Sequence, residues 1–371
     1  MSFNGTQLKT KAKDAGFSIL QLASQLNVSR QTVSSWIKGQ APRGGHLVKL
    51  CTLLNMKPSD FFMEPAEKLV SVPLHRTYRG KGVTTPMRQA SQQLAEQYIN
   101  LFRQVTTASI VPVVRMPSSR TDESARVIAT FLRSQSGLQE EKPMDYKSVF
   151  RLLSKLGIFV VFRTFPEVLA NQSYAFFSKI AGQRVVFVNT GMNILDLIFQ
   201  ILHETVHAIR DEELGAIDSE AEEEFCDKVA EYAQFPDFYV KMVENCIIDC
   251  VESPGILVNR LKKVSKDNSH SLWGIYYRLK HLGKLKNDLN PAGAAANLNK
   301  NFPNLHEIFF EKGDPRSFVD TLYALSPNFM ALVAAQVPDC SVRKFGEWLG
   351  LDTTIDASTI MDEIIRRKTP A

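Results

Sequence analysis

The residues of this chain best suited to do chemistry lie within positions 198–210, which read IFQILHETVHAIR. His203 and His207 are four residues apart. On a helix their imidazoles would lie one above the other on the same face. Two imidazoles placed that way can bind one metal ion. Glu204 between them can reach a water on that metal and serve as its general base, the HExxH arrangement of zinc-dependent hydrolysis. A second helix can supply a third ligand. Glu223 comes sixteen residues after His207, in Glu223-Glu224-Phe225-Cys226-Asp227. A His₂Glu set of this kind leaves a fourth position for water. Asp227, one turn past Glu223, can accept a hydrogen bond from a ligand histidine and fix its tautomer. Glu220, Glu222 and Glu224 lie close enough to compete, and for most of that acidic face simple solvation is the plainer reading.

A second group of residues suits nucleic acid. Ser29, Arg30, Gln31, Thr32, Ser34, Ser35 and Lys38 cluster on one short segment, and these are types that contact bases and phosphates in a major groove. The surrounding charge agrees. Positions 1–62 hold eight Lys and Arg (Lys9, Lys11, Lys13, Arg30, Lys38, Arg43, Lys49, Lys57) against Asp14 and Asp60, a balance of +6. The whole chain carries +5, so the other 309 residues sum to −1. A basic module on a nearly neutral body points to a polyanionic partner for the N-terminal part.

Both groups need helices to position them. Positions 6–16 predict a first helix. Ser18 and Ser29 are suitable N-caps for the next two. Asn27 falls in the turn between them, and Ala23 is small, as two crossing helices require. Leu22, Leu26, Val28, Val33, Trp36 and Ile37 supply the apolar face, and the pattern continues through 47–56 and 58–62. These residues resemble the helix-turn-helix of Cro/C1-type (XRE) phage repressors over about sixty positions. The resemblance implies a DNA-binding domain, and such modules often dimerise, which makes a homodimer an expectation.

Further on, His75-Arg76-Thr-Tyr78-Arg79-Gly-Lys81-Gly82 predicts a solvated basic linker or an edge strand. One long helix is expected from Met87 to about Thr106, then an extended run at 110–114. Asp122 or Ser118 would cap a helix over 123–134, and another is expected over 143–156, ended by Gly157. Positions 158–162 and 184–188 are apolar, β-branched runs that predict strands, with a third around 174–177. The motif helix follows, and then the helix carrying Glu223. Positions 241–290 predict helices, 291–301 an Ala/Asn/Gly-rich linker, and 302–371 more helix.

The order helix, strand at 158–162, strand ending Val186-Phe187-Val188-Asn189, HExxH, then E-x-F-C-D-x-V-A to Pro236 resembles the ImmA/IrrE family of zinc metallopeptidases. The resemblance covers about 122–240. It implies zinc as cofactor, His203, His207 and Glu223 as its ligands, and Glu204 as the base. The family commonly has Asn where Asp227 stands, and Asp keeps the acceptor. Thr205-Val206 replaces the frequent Leu-Gly, and the bulkier Val raises the question of how closely the helix can pack. Tyr232, Tyr174, His270 and His281 are candidates for a second electrophile beside the carbonyl. A substrate peptide is expected to add as a strand beside 184–188.

The expected architecture is therefore α+β and mainly helical. It comprises a helix-turn-helix domain (1–65), a linker and helical connector (66–120), a zincin-like core with a small sheet (121–240) and a helical C-terminal region (241–371), a candidate regulatory or sensor part. A chain of 371 residues accommodates this. No apolar run reaches about eighteen residues, so no membrane span is expected. The start, Met-Ser-Phe-Asn-Gly-Thr-Gln, lacks the features of a signal peptide. Cys51, Cys226, Cys246, Cys250 and Cys340 are an odd, sparse set that suits a reducing cytoplasm. The resemblances together imply a zinc endopeptidase that cleaves a helix-turn-helix repressor and so derepresses a phage, mobile-element or stress and defence operon. DNA damage or DNA binding is the expected signal. The competing expectation is a DNA-binding regulator whose peptidase-like part acts as a sensor.

Overall fold

The computed structural model describes residues 2–3, 5–54, 56, 61–63, 70–72, 83–105, 116, 119–170, 173–214, 220–250, 253–285, 289–337 and 339–368. The chain is mainly helical with a small sheet, an α+β fold. It divides into two units, Met1–Leu69 and Val70–Ala371.

In the first unit, helices span Gly5–Asp14, Ile19–Leu26, Arg30–Ile37 and Gly45–Leu54. Ser18 caps the second helix in a reciprocal capping box with Gln21, and Asn27 leaves it in the left-handed conformation, φ 55°. Ser29 caps the third by accepting from the Thr32 amide. Leu8, Leu22, Leu26, Val33, Trp36, Leu50 and Phe61 are buried together. A short strand β1 (Ser2–Phe3) pairs antiparallel with β2 (Phe62–Met63), joining the two ends of the unit. Gly5 is required where the first helix begins, because a Cβ there would stand 2.1 Å from the Ile37 carbonyl oxygen.

The second unit is built on a four-stranded sheet of order β3 (Val70–Ser71), β5 (Ala175–Ile180), β6 (Gln183–Asn189), β4 (Phe159–Arg163). β4 and β6 are parallel, and β5 and β6 form an antiparallel hairpin. Its two-residue turn, Ala181-Gly182, has φ of 48° and 81°, as a type I′ turn demands. The strands are buried almost throughout, which explains their continuous apolar, β-branched runs. The motif helix, Ile194–Leu214, packs on β5 and β6, and the acidic helix, Glu220–Gln234, packs beside it. Val206 is fully buried, so its bulk is accommodated. Arg133, itself buried, donates to the carbonyls of Ala233, Gln139 and Lys142 and ties down the end of the acidic helix.

Several elements differ from the sequence expectation. The helix expected over Met87 to Thr106 is two, Thr85–Glu96 and Ile99–Phe102. The break falls at Tyr98, which is buried against Phe187 and donates its hydroxyl to the Trp348 carbonyl. Thr121, rather than Asp122, caps the helix Asp122–Ser136. Asp145 caps Tyr146–Lys155, so that helix starts three residues later than expected. The expected linker at 291–301 contains the helix Ala292–Asn299, because its alanines favour helix and outweigh the Asn and Gly that suggested a loop. The basic stretch at 75–82 and the run at 110–114 lie outside the described residues.

The C-terminal helices complete the core. Phe318, Val319, Leu322, Phe329, Met330 and Trp348 belong to the same buried cluster as the sheet. Asn193, just before the motif helix, accepts from the Leu195 amide and donates to the carbonyls of Asn299 and Phe302. The segment that looked like a linker therefore pins the start of the helix carrying the two histidines.

Candidate metal centre and DNA-binding face

The α-helical spacing does what it predicts. His203 and His207 stand on the inner side of the motif helix with ring centroids 4.8 Å apart. Glu223 reaches them from the acidic helix. Its carboxylate oxygens lie 3.2 Å from His203 Nε2 and 3.1 Å from His207 Nε2, and the two Nε2 atoms are 3.0 Å apart. Among the described residues these three side chains form the one group whose donor atoms, all within 4.8 Å of one another, could hold a metal ion. Tetrahedral ligands about 2.0–2.1 Å from zinc stand roughly 3.3 Å from each other, so the observed spacings fit a divalent cation of that size. His203 and Glu223 are buried, whereas Glu204 and His207 keep some exposure.

The surrounding groups orient the donors. Asp227 Oδ1 lies 2.8 Å from His203 Nδ1. A proton on that nitrogen leaves the Nε2 lone pair directed at the cluster. Glu204 Oε2 accepts from the Phe177 amide of β5 at 2.7 Å. Burial raises the Glu204 carboxyl to about 7, with His207 opposing, Glu223 adding to the rise and the Phe177 amide opposing it. Burial would also raise Glu223, but hydrogen bonds from both imidazoles hold it well below the usual carboxylate range. His207 is raised well above the ordinary imidazole value: burial opposes this, but Cys226, Glu223 and Glu204 outweigh it. A group that titrates near neutrality beside two imidazoles and a carboxylate can accept a proton and return it.

The sequence missed three participants: the Phe177 amide, Cys226 and Glu222. Cys226 Sγ lies 3.7 Å from His207 Nδ1. Glu220 and Glu224 are exposed, as expected for most of that acidic face, whereas Glu222 is buried and paired with Arg210 and Arg120. The available signal was the spacing of Glu222 with Cys226 and of Glu223 with Asp227, two i, i+4 pairs that turn one face of the acidic helix inward.

Other expectations are corrected by geometry. β6 is paired on both sides, by β4 and β5, so no peptide can add to it as a strand. The Phe177 amide of β5 instead turns away from β6 toward Glu204. Tyr232 donates to Asp122 and lies between the guanidiniums of Arg126 and Arg278. His270 is fully buried against the Tyr239 hydroxyl, and His281 pairs with Glu231. These three candidates for a second electrophile are committed elsewhere. Tyr174 stands directly before β5. A cavity of about 340 Å³ between Asp237–Ile247 and Pro254–Asp267 contains none of the cluster residues.

In the first unit, Val33 and Trp36 face inward from the helix Arg30–Ile37. Arg30, Gln31 and Lys38 are exposed, and Thr32, Ser34 and Ser35 are half-buried. The Ser29 hydroxyl serves the Thr32 amide and hydroxyl, and Ser35 donates to the Thr32 carbonyl. The long exposed side chains are therefore the ones with reach into a groove. No described helix is long and apolar enough to cross a membrane.

Among curated proteins and among solved structures, nothing matches the chain. A family model does match its N-terminal part: residues 7–64 match the Cro/C1-type HTH DNA-binding domain, and the first unit of this chain is a DNA-binding domain of that type.

Proposed function

We propose that the Val70–Ala371 unit is a zinc-dependent endopeptidase that works together with the DNA-binding domain and cleaves a helix-turn-helix repressor. The observation that carries this reading is Glu204: a carboxyl near pKa 7 set beside a two-histidine, one-glutamate donor cluster. The resemblance to ImmA/IrrE peptidases, argued from the motif order, supports the same assignment. His203, His207 and Glu223 would hold the ion. When bound, zinc supplies a water whose pKa falls toward about 7 and polarises a carbonyl. Asp227 keeps His203 in the ligating tautomer. The Phe177 amide holds Glu204 Oε2, which leaves Oε1 to take a proton from the attacking water and pass it to the leaving amine. Cleavage of a repressor would turn on a phage, mobile-element or stress and defence operon, under control of a signal such as DNA damage or DNA occupancy.

A second reading keeps the regulator and drops the protease: a DNA-binding transcription factor whose cluster senses metal. The match to a DNA-binding domain favours it. Purified protein assayed for zinc content and for cleavage of a helix-turn-helix repressor separates the two. The peptidase reading predicts about one zinc per chain and cleavage that Glu204→Gln abolishes. Bound metal with no cleavage, and unchanged DNA-dependent regulation in Glu204→Gln, would favour the sensor.

A further inference from the structure

The two histidines are held differently. His203 Nδ1 meets a carboxylate, Asp227, at 2.8 Å. His207 Nδ1 meets a thiol, Cys226 Sγ, at 3.7 Å. That thiol in turn lies 3.9 Å from Glu222 Oε1, to which it donates. Glu222 receives Arg210 Nε at 2.8 Å on Oε1, Arg210 Nη2 at 3.2 Å and Arg120 Nε at 2.7 Å on Oε2. Cys226, Glu222 and Arg210 are all buried.

The chemistry of these groups fixes a direction. Guanidinium N–H groups only donate, so the carboxylate between them accepts. The thiol has one proton, and Glu222 is the acceptor that faces it. With that proton committed, the sulfur can only accept from His207. In its neutral, metal-binding state His207 then carries its proton on Nδ1, which leaves the Nε2 lone pair for an ion held between His203 and Glu223. An imidazole that ligates through Nε2 needs this state.

We propose that Cys226 and Glu222 form a buried relay, anchored by Arg210 and Arg120, that sets the tautomer and orientation of His207. Cys226 is then a positioning residue for the donor cluster. This rests on the reading of the cluster as a zinc site.

The test uses the full chain, zinc alone as the probe, and two readouts other than activity. Zinc affinity is measured by chelator competition for wild type, Cys226→Ala and Cys226→Ser. The protonation of the His207 ring is read from ¹⁵N-imidazole spectra of zinc-loaded wild type, which needs no variant to fold. Loss of such an orienting partner lowers metal affinity by roughly 10–100-fold, and a weak sulfur acceptor belongs near 10-fold. The expected result is about that loss for Cys226→Ala, with most of it recovered by Cys226→Ser, whose hydroxyl can also donate and accept. Wild-type His207 should show its proton on Nδ1. Equal affinity in wild type and Cys226→Ala, or a His207 proton on Nε2, overturns the relay and leaves the zinc site standing. A wild-type chain that takes up no zinc overturns the zinc reading and the relay with it.

Discussion

Replacing Glu222 by Gln tests how the two helices of the cluster are held together. Glu222 sits on the acidic helix and Arg210 on the motif helix, with 4% and 1% of their surfaces exposed. Gln keeps the shape but removes the negative charge that faces the buried Arg210 guanidinium at 2.8 Å. Breaking a buried pair from one side costs roughly 3–5 kcal/mol. Arg120 adds little to that figure, because a third of its side chain reaches water. The Phe225 ring, 4.5 Å from the Arg210 guanidinium, returns a part. The expected loss is therefore about 3 kcal/mol, near the low end. At about 2 °C per kcal/mol for a large domain, the unfolding midpoint should fall by about 6 °C. Denaturant unfolding with an unchanged slope would confirm a change in stability alone. The double variant Arg210→Met with Glu222→Leu should regain most of the loss, since an apolar pair avoids the desolvation of two ions. Burial would raise the Glu222 carboxyl, but hydrogen bonds from Arg210 and Arg120 hold it below its ordinary value of 4.5. Its contribution is thus present above that value and is lost as pH falls through the lower, folded one. An unfolding midpoint for Glu222→Gln within about 1 °C of wild type would refute the argument that this pair is buried and coupled.

Three further predictions concern other parts of the chain. Burial pushes His270 down to about 4, with the Ser271 carbonyl opposing; against an ordinary value of 6.5, stability should be full above pH 6.5 and decline by about 3 kcal/mol toward pH 4. That decline, measured by unfolding across pH, should shrink in His270→Asn. Gly5→Ala sets a methyl 2.1 Å from a backbone oxygen, so the DNA-binding unit should lose about 1–3 kcal/mol, seen as an earlier calorimetric transition. For DNA binding, Arg30→Ala or Lys38→Ala should reduce the slope of log affinity against log salt by about 1 if the residue contacts phosphate, whereas Gln31→Ala should relax sequence preference.

The sequence announces the donor cluster because its information is local. His203 and His207 share a face through helical period alone, and Glu223 and Asp227 repeat that geometry on the next helix. The strands were equally legible, since β4 and β6 are buried on both faces and read as unbroken apolar runs. What stayed hidden depends on tertiary contacts. Nothing in the sequence near 97–98 says that Tyr98 turns into the core and breaks a helix. The Ala-rich stretch at 291–301 reads as a linker until Asn193 is seen to hold its carbonyls. β6 looked like an edge because one neighbour, β5, joins it only through a two-residue turn and the other, β4, comes from before that hairpin. Glu222 reads as solvated because its partners, Arg210 and Arg120, are 12 and 102 residues away.

The central claim is that Glu204 is the base of a metal-dependent peptidase. It is tested most directly by co-expressing a tagged helix-turn-helix repressor with wild type or with Glu204→Gln, with and without DNA damage. A repressor fragment is expected with wild type and none with Glu204→Gln, since removal of the carboxylate leaves the donor cluster intact but takes away the proton acceptor. An intact repressor in every lane, or the same fragment from Glu204→Gln, would contradict it.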